Sequence, residues 1–179
     1  MYVETERLVI RPWRYDEAAR MLDILSRVEV AKWLGDGEPV LMTDLDEAHQ
    51  RIDSWTARSV VPPLGLWAIE VATTGEVAGT VLLVVLPNAE DGEVEIGWHL
   101  HPDSWGNGYA TEAARAVLGH GFEAGLPEIF AVTHLANEPS QNVCRKIGMT
   151  HLGTTDKWYD EPSELYRITA DEWRARVTR

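Results

Sequence analysis

The chain has 179 residues, enough for one domain to close a core without disulfides or metals, and its 16 basic against 29 acidic residues give a net charge of −13. That balance repels a phosphate backbone and argues against a nucleic-acid partner. The single cysteine, Cys144, excludes an intramolecular disulfide, and no apolar run approaches the roughly 18 residues of a membrane-spanning helix. The opening residues, MYVETERLVIRPW, lack the basic start and apolar stretch of a signal peptide, so a soluble cytoplasmic protein without membrane association is expected. The acidity serves solubility and, at a binding site, favours a cationic partner.

Alternation over residues 7–13 predicts a first strand ending near Trp13. Asp16 can cap a helix whose apolar face is Ala18, Met21, Leu22 and Leu25, and Gly35-Asp36-Gly37-Glu38-Pro39 then breaks the chain. Thr43 with Asp46 resembles a capping box for a second helix, striped by Leu45, Ala48, Ile52 and Trp55. Beyond the Pro62-Pro63-Leu64-Gly65 turn, residues 66–71, 77–86 and 94–100 read as three strands of an antiparallel meander. In the third of these, Glu93, Glu95, Gly97 and His99 share one face, and Val94, Ile96, Trp98 and Leu100 the other.

This strand runs through Trp105-Gly106-Asn107-Gly108-Tyr109-Ala110 into a helix striped by Ala110, Ala113, Ala114, Val117, Leu118 and Phe122. A helix opened by such a turn leaves free N–H groups that attract anions. Alone, the turn lacks the Gly-Lys-Ser/Thr of a P-loop and the third glycine of a dinucleotide fingerprint, and two glycines in an ordinary turn would account for it. Gly125-Leu126-Pro127 stops the helix, and residues 129–135 form a strand parallel to the one before it, as a helical crossover requires. Residues 137–149 predict a short helix capped by Asn137 or Glu138, with Pro139 in its first turn and Gly148 at its end. A strand pair, residues 149–158 and 163–168, turns around Asp160-Glu161-Pro162, and Thr169 with Glu172 is a capping box for a last helix. No repeat or linker divides the chain, so residues 1–179 read as one domain.

The order of elements, with Trp-Gly-Asn-Gly-Tyr-Ala-Thr-Glu-Ala at residues 105–113, resembles the GNAT superfamily of acetyl-CoA-dependent N-acetyltransferases. Within it the chain is most similar to the branch of ribosomal-protein N-terminal acetyltransferases, RimJ/RimL-like. Further segments carry the likeness: Thr5-Glu6-Arg7-Leu8-Val9-Ile10-Arg11, Val94-Glu95-Ile96-Gly97-Trp98, Asn137-x-x-Ser140-x-x-Val143-x-x-Lys146-x-Gly148-Met149, and Leu165 to Ile168 with Glu172-Trp173. The resemblance implies an α+β fold, a mixed six- to seven-stranded sheet flanked by about four helices, with the fourth and fifth strands splayed around acetyl-CoA. It implies cofactor contacts from His99, Leu100, Trp105, Gly106, Asn107, Gly108, Tyr109, Ala110, Thr111, Asn137, Ser140, Asn142 and Lys146. The superfamily turn commonly begins with Gln or Arg, so Trp105 removes one possible phosphate contact. Lys146 reads equally as a solvated charge at a helix end.

Acetyl transfer from a thioester needs a neutral amine, stabilisation of an oxyanion and a proton for the departing thiolate. Glu95 matches the branch's glutamate and is the leading base, directly or through water; Glu93 and His99 share its face as substitutes, and a merely solvated strand-face glutamate is the competing reading. Many superfamily members donate the proton from a tyrosine seven positions after the asparagine, where this chain has Cys144. The resemblance then points to Ser140, with Cys144 or water as alternatives, although a cysteine on an apolar helix face is more often a buried hydrophobe. A nucleophilic Cys144 with His134 lacks an orienting third group, and His99 with His101 lacks a third metal ligand, so no metal is expected.

The expected activity is acetylation of a primary amine, a protein N-terminus or a small cationic amine, by direct attack in a ternary complex. The alternative is a non-catalytic acyl-CoA-binding module, suggested by Cys144 in the tyrosine position. Loops 34–43 and 157–163 would choose the acceptor, and the oligomeric state, a homodimer included, stays open.

Overall fold

The computed structural model describes residues 1–35, 38–159 and 161–177. Asp36 and Gly37 of the expected break, and Asp160 of the expected turn, lie outside the described residues. Among the described residues the chain forms strands β1 (Val3–Glu4), β2 (Leu8–Arg11), β3 (Gly65–Val71), β4 (Val77–Val85), β5 (Val94–Leu100), β6 (Glu128–His134), β7 (Thr150–Thr155) and β8 (Ser163–Thr169). The helices are α1 (Ala18–Leu25), α2 (Val28–Ala31), α3 (Leu45–Arg58), α4 (Tyr109–Glu123), α5 (Glu138–Lys146) and α6 (Ala170–Val177). None of them is long and apolar enough to cross a membrane.

All eight strands join one mixed sheet in the order β1-β2-β3-β4-β5-β6-β8-β7. Its neighbours are antiparallel except β5 and β6, which run parallel through the α4 crossover. The α+β class and mixed sheet agree with expectation; the counts do not. Against the seven strands and five helices read in chain order, the additions are the two-residue β1 and the four-residue α2, each too short to carry a periodic signal, and β1 makes the splayed pair the fifth and sixth strands.

Two helix starts also differ. Tyr15–Glu17 form a 3-10 turn ahead of α1, and Glu17, not Asp16, closes it by accepting from the Arg14 N–H at 2.8 Å. At α3 the cap is Asp44, which accepts from the Glu47 N–H at 2.9 Å, while Glu47 accepts from the Thr43 N–H; the box lies one residue later than Thr43 with Asp46 suggested. Thr169 and Glu172 do form the reciprocal box that opens α6.

Alternation in the strands separates two cores. Leu83, Ile96 and Ile129 pack with Ala113, Ala114, Val117 and Leu118 of α4 on one face. Leu66, Ala68 and Val77 pack with Met21, Ile24, Ala48, Ile52 and Trp55 of α1 and α3 on the other. Each fully buried aliphatic side chain contributes roughly 1.5–3 kcal/mol, so both helix layers are held firmly against the sheet. The β4–β5 register, Thr80 with His99, Leu82 with Gly97 and Val84 with Glu95, turns Glu95, Gly97 and His99 toward the α3 side.

Close pairing of β4 and β5 depends on Gly79. A Cβ there would collide with the His99 carbonyl oxygen and lie 2.6 Å from Leu100 Cα, backbone atoms that cannot rotate away. Gly79→Ala is therefore expected to lower the unfolding free energy by about 1–3 kcal/mol, the usual range for overpacking. Urea denaturation measures this, and wild-type stability would show that the strands have slack the register denies.

Candidate active site

β5 and β6 share one register pair, Glu95 with Phe130, and beyond it their C-terminal halves diverge. The wedge opens into a cleft of about 980 Å3, walled by residues 95–100 of β5 and 131–133 of β6, by the turn into α4 and by the start of α5. On the α3 side the wall is Lys32, Trp33, Arg51, Trp55 and Arg58.

The turn is built to leave donors free. Gly106 and Gly108 have φ of 78° and 80°, the left-handed region that favours glycine. Among the described residues, the backbone N–H groups of residues 106–111 donate to no protein acceptor, so they form a row at the start of a fifteen-residue helix. Trp105 anchors the turn: its Nε1 donates to the Leu100 carbonyl at 2.9 Å. Asn107 ties it internally, its Nδ2 donating to the Ser104 and Trp105 carbonyls at 3.2 Å. Asn107 alone of the expected turn residues 105–111 is off the cleft wall.

Arg7 braces the turn from outside the cleft. It donates to the Asn107 carbonyl at 3.0 Å and to Glu112 at 2.7 Å, and its guanidinium lies 5.2 Å from the Tyr109 ring centre.

On the opposite wall Asn137 caps α5, its Oδ1 accepting from the Ser140 N–H at 3.2 Å. Its own N–H donates to the His134 carbonyl, so the end of β6 fixes where α5 begins. Ser140 is partly buried on the wall; Asn142 is exposed, with its Oδ1 taken by Arg145 at 2.7 Å. Lys146 reaches the wall from the last turn and has no acidic partner among the described residues. Cys144 is a correction. It is fully buried in the α4-side core, off the cleft wall, and burial pushes its thiol up to about 12, so it has neither access to the cleft nor an available proton.

Glu95 lies partly buried at the closed end of the wedge. Burial pushes its carboxyl up to about 7, and the Tyr159 hydroxyl, donating to Oε1 at 2.6 Å, partly opposes the rise. The two expected substitutes fare differently. Glu93 is off the cleft wall and paired with Lys157, which holds its carboxyl down at about 2. His99 is on the wall, but burial and then the nearby Arg51 push it down to about 4, so it is neutral near pH 7. Trp55 of α3 lies 6.1 Å from the His99 ring.

Tyr159 is a site residue that the one-dimensional pattern missed. It comes from the β7–β8 loop, and its partner lies 64 positions away, beyond any local periodicity. Its loop is held at three consecutive residues: Lys157 on Glu93, Trp158 buried 5.4 Å from the Phe130 ring, and Tyr159 on Glu95. Thr133 was missed as well; its Oγ1 is buried at the wedge without a hydrogen-bond partner among the described residues.

A carboxyl at about 7 when folded and near 4.5 when unfolded binds its proton more tightly in the folded state, so its contribution to stability falls as pH rises through that window. Glu95→Gln is expected to gain about 3 kcal/mol relative to wild type between pH 4 and pH 8, by the conversion of roughly 1.4 kcal/mol per unit. Urea titrations at the two pH values measure it; a pH-independent difference would mean that burial does not perturb Glu95.

Residues 7–150 match the Acetyltransferase (GNAT) domain family. The chain is 30% identical over 187 residues to FsC-acetyl coenzyme A-N(2)-transacetylase of Aspergillus fumigatus, an alignment covering 96% of this chain and 77% of that protein. Its fold is similar to the crystal structure of an acetyltransferase from Agrobacterium tumefaciens, with TM-score 0.75, 27% identity and 94% of each chain covered. It is also similar to RimL, a ribosomal alpha-N-protein acetyltransferase in complex with coenzyme A, with TM-score 0.79, 15% identity, and 96% of this chain and 99% of that one covered. Family match and sequence identity together establish that the chain belongs to the GNAT family of acetyl-CoA-dependent N-acetyltransferases.

Proposed function

We propose that the chain, acting as one catalytic domain, transfers acetyl from acetyl-CoA to a primary amine by direct attack in a ternary complex. One observation carries this reading: a single cleft joins a row of unbonded helix-start N–H groups to a carboxyl held near neutrality.

The residues fit the co-substrate. A diphosphate can take the N–H groups of Gly106, Gly108, Tyr109, Ala110 and Thr111, and a Cβ added at Gly106 would stand in open space. Beyond the turn, the facing strand edges can flank an extended amide-bearing arm, with His99 and Leu100 on one side and Asn137 on the other. Asn137 Oδ1 is committed to its helix, which leaves Nδ2 for a ligand carbonyl. Trp105, Asn142 and Lys146 border the same half of the cleft. When bound, acetyl-CoA supplies the activated acetyl group and a thiolate leaving group.

Glu95 acts as the base. With its carboxyl near 7 it is substantially ionised at neutral pH yet able to hold a proton taken from the amine, directly or through water. Tyr159 orients Oε1 and keeps the carboxyl from rising further. Ser140, in the first turn of α5, donates the proton that the departing thiolate needs; burial removes Cys144 from that task.

On this mechanism kcat/KM rises with pH and levels above about 7 as Glu95 ionises. Glu95→Gln should lower kcat by about 10²–10⁴ without weakening acetyl-CoA binding. Tyr159→Phe should shift the rise to higher pH, because the lost hydrogen bond favoured the ionised form. In the same thiol-release assay Ser140→Ala should slow turnover; unchanged turnover in Glu95→Gln would remove Glu95 from the mechanism.

Gly108→Val tests the phosphate site separately. It places a β-branched residue at a φ of 80° and obstructs the turn, and acetyl-CoA binding measured by calorimetry should be lost. Tight binding by the folded variant would mean that the site has been misplaced.

A further inference from the structure

The charged residues of the cleft invert the balance of the chain. The protein carries 29 acidic against 16 basic residues. Among the described residues the cleft is lined by two carboxylates, Glu29 and Glu95, but by Lys32, Arg51, Arg58 and Lys146. Lys146 belongs to α5, beside the phosphate-binding turn. The other three stand on the α2–α3 side.

Their placement is set by Trp55, which is buried on the sheet beside His99. Arg51 and Arg58, four residues before and three after it, project from the same face of α3. That face covers the side of β5 on which Glu95 points, whereas α4, whose start holds the N–H row, packs on the opposite face of the sheet. Neither arginine has an acidic partner among the described residues, and Lys32 has only the ring of Trp33, 4.6 Å from its Nζ. In so acidic a protein, cations facing a cleft without carboxylate partners are available to a ligand anion. A guanidinium recognises a carboxylate in bidentate fashion.

We propose that the acceptor amine carries a carboxylate, held by Arg58 and Arg51 while its amine approaches Glu95. This rests on the transferase reading above and narrows its acceptor to amino acids, or to peptides with an acidic residue near the N-terminus. It departs from the cationic acceptor that bulk charge suggests, because selectivity is decided by the groups lining the cleft and not by the whole surface.

The test compares matched acceptors in a thiol-release assay with the full chain: amino acids against their amides, acidic against amidated N-terminal peptides, and polyamines. The carboxylate member of each pair should have at least ten-fold higher kcat/KM, and the amino-acid and peptide arms identify the source. In Arg51→Ala/Arg58→Ala that preference should fall toward one through a raised acceptor KM, with the KM for acetyl-CoA unmoved; Arg58→Lys should retain part of it. Equal rates for both members, a preference for polyamines, or a raised acetyl-CoA KM in the double variant would overturn the proposal. Absence of thiol release with every amine would count against the transferase reading. Calorimetry of the same carboxylate and amide pairs with CoA present would then decide the inference alone: carboxylate-selective binding lost in the double variant supports it, and its absence in wild type overturns it.

Discussion

The site depends on how little joins β5 to β6. Each strand is paired along its length on its outer edge, β5 with β4 and β6 with β8, so neither can shift to close the gap. Their one shared pair, Glu95 with Phe130, is the hinge of the wedge, and beyond it the facing edges share no further register pair. Glu95 is therefore fixed at the closed end by the same contact that opens the cleft. Gly97 keeps the next position clear: a side chain there would begin 3.1 Å from Leu82 Cδ1, on the face that Glu95 and His99 share.

Two carboxylates two residues apart show how finely that end is set. Glu93 and Glu95 begin with the same chemistry, yet one is held at about 2 by an ion pair with Lys157 and the other is raised to about 7 by burial. The β7–β8 loop supplies a partner to both, a lysine for the first and a tyrosine for the second. A lysine cancels charge, whereas a hydroxyl orients a carboxyl and leaves it able to take up a proton. Trp158, packed between these residues on Phe130, ties the loop to the strand that forms the other side of the wedge.

Much of the fold was legible because strand alternation and helix stripes are local. The strand of residues 94–100, the helix that follows the glycine turn and the Thr169–Glu172 box each express a period or a fixed offset that survives folding. β1 and α2 were not legible, since two and four residues cannot carry a period. At the site, the glycine turn and Asn137 were legible as helix starts from their residue signatures, and their expected cofactor contacts came only from the family resemblance. Tyr159, Thr133 and the α3 arginines could not, because their roles arise from the approach of distant segments. Cys144 occupies the position where the superfamily often has a catalytic tyrosine, but its side chain enters the core, and burial decides its chemistry.

The glycine turn shows why a segment far from the cleft belongs to the same motif set. The six successive N–H groups of residues 106–111 find no protein acceptor among the described residues, so the geometry of the turn is held by contacts made elsewhere. Arg7 supplies that support by joining the Asn107 carbonyl to Glu112, while Thr5 donates to Glu112 at 2.6 Å and Trp105 fixes the turn to the end of β5. The Thr5-Glu6-Arg7 segment, recognisable in the sequence only as a family likeness, thus holds the row of donors in a fixed orientation. On the proposed reading a diphosphate would meet a row already oriented, and little of its binding energy would be spent on ordering the loop.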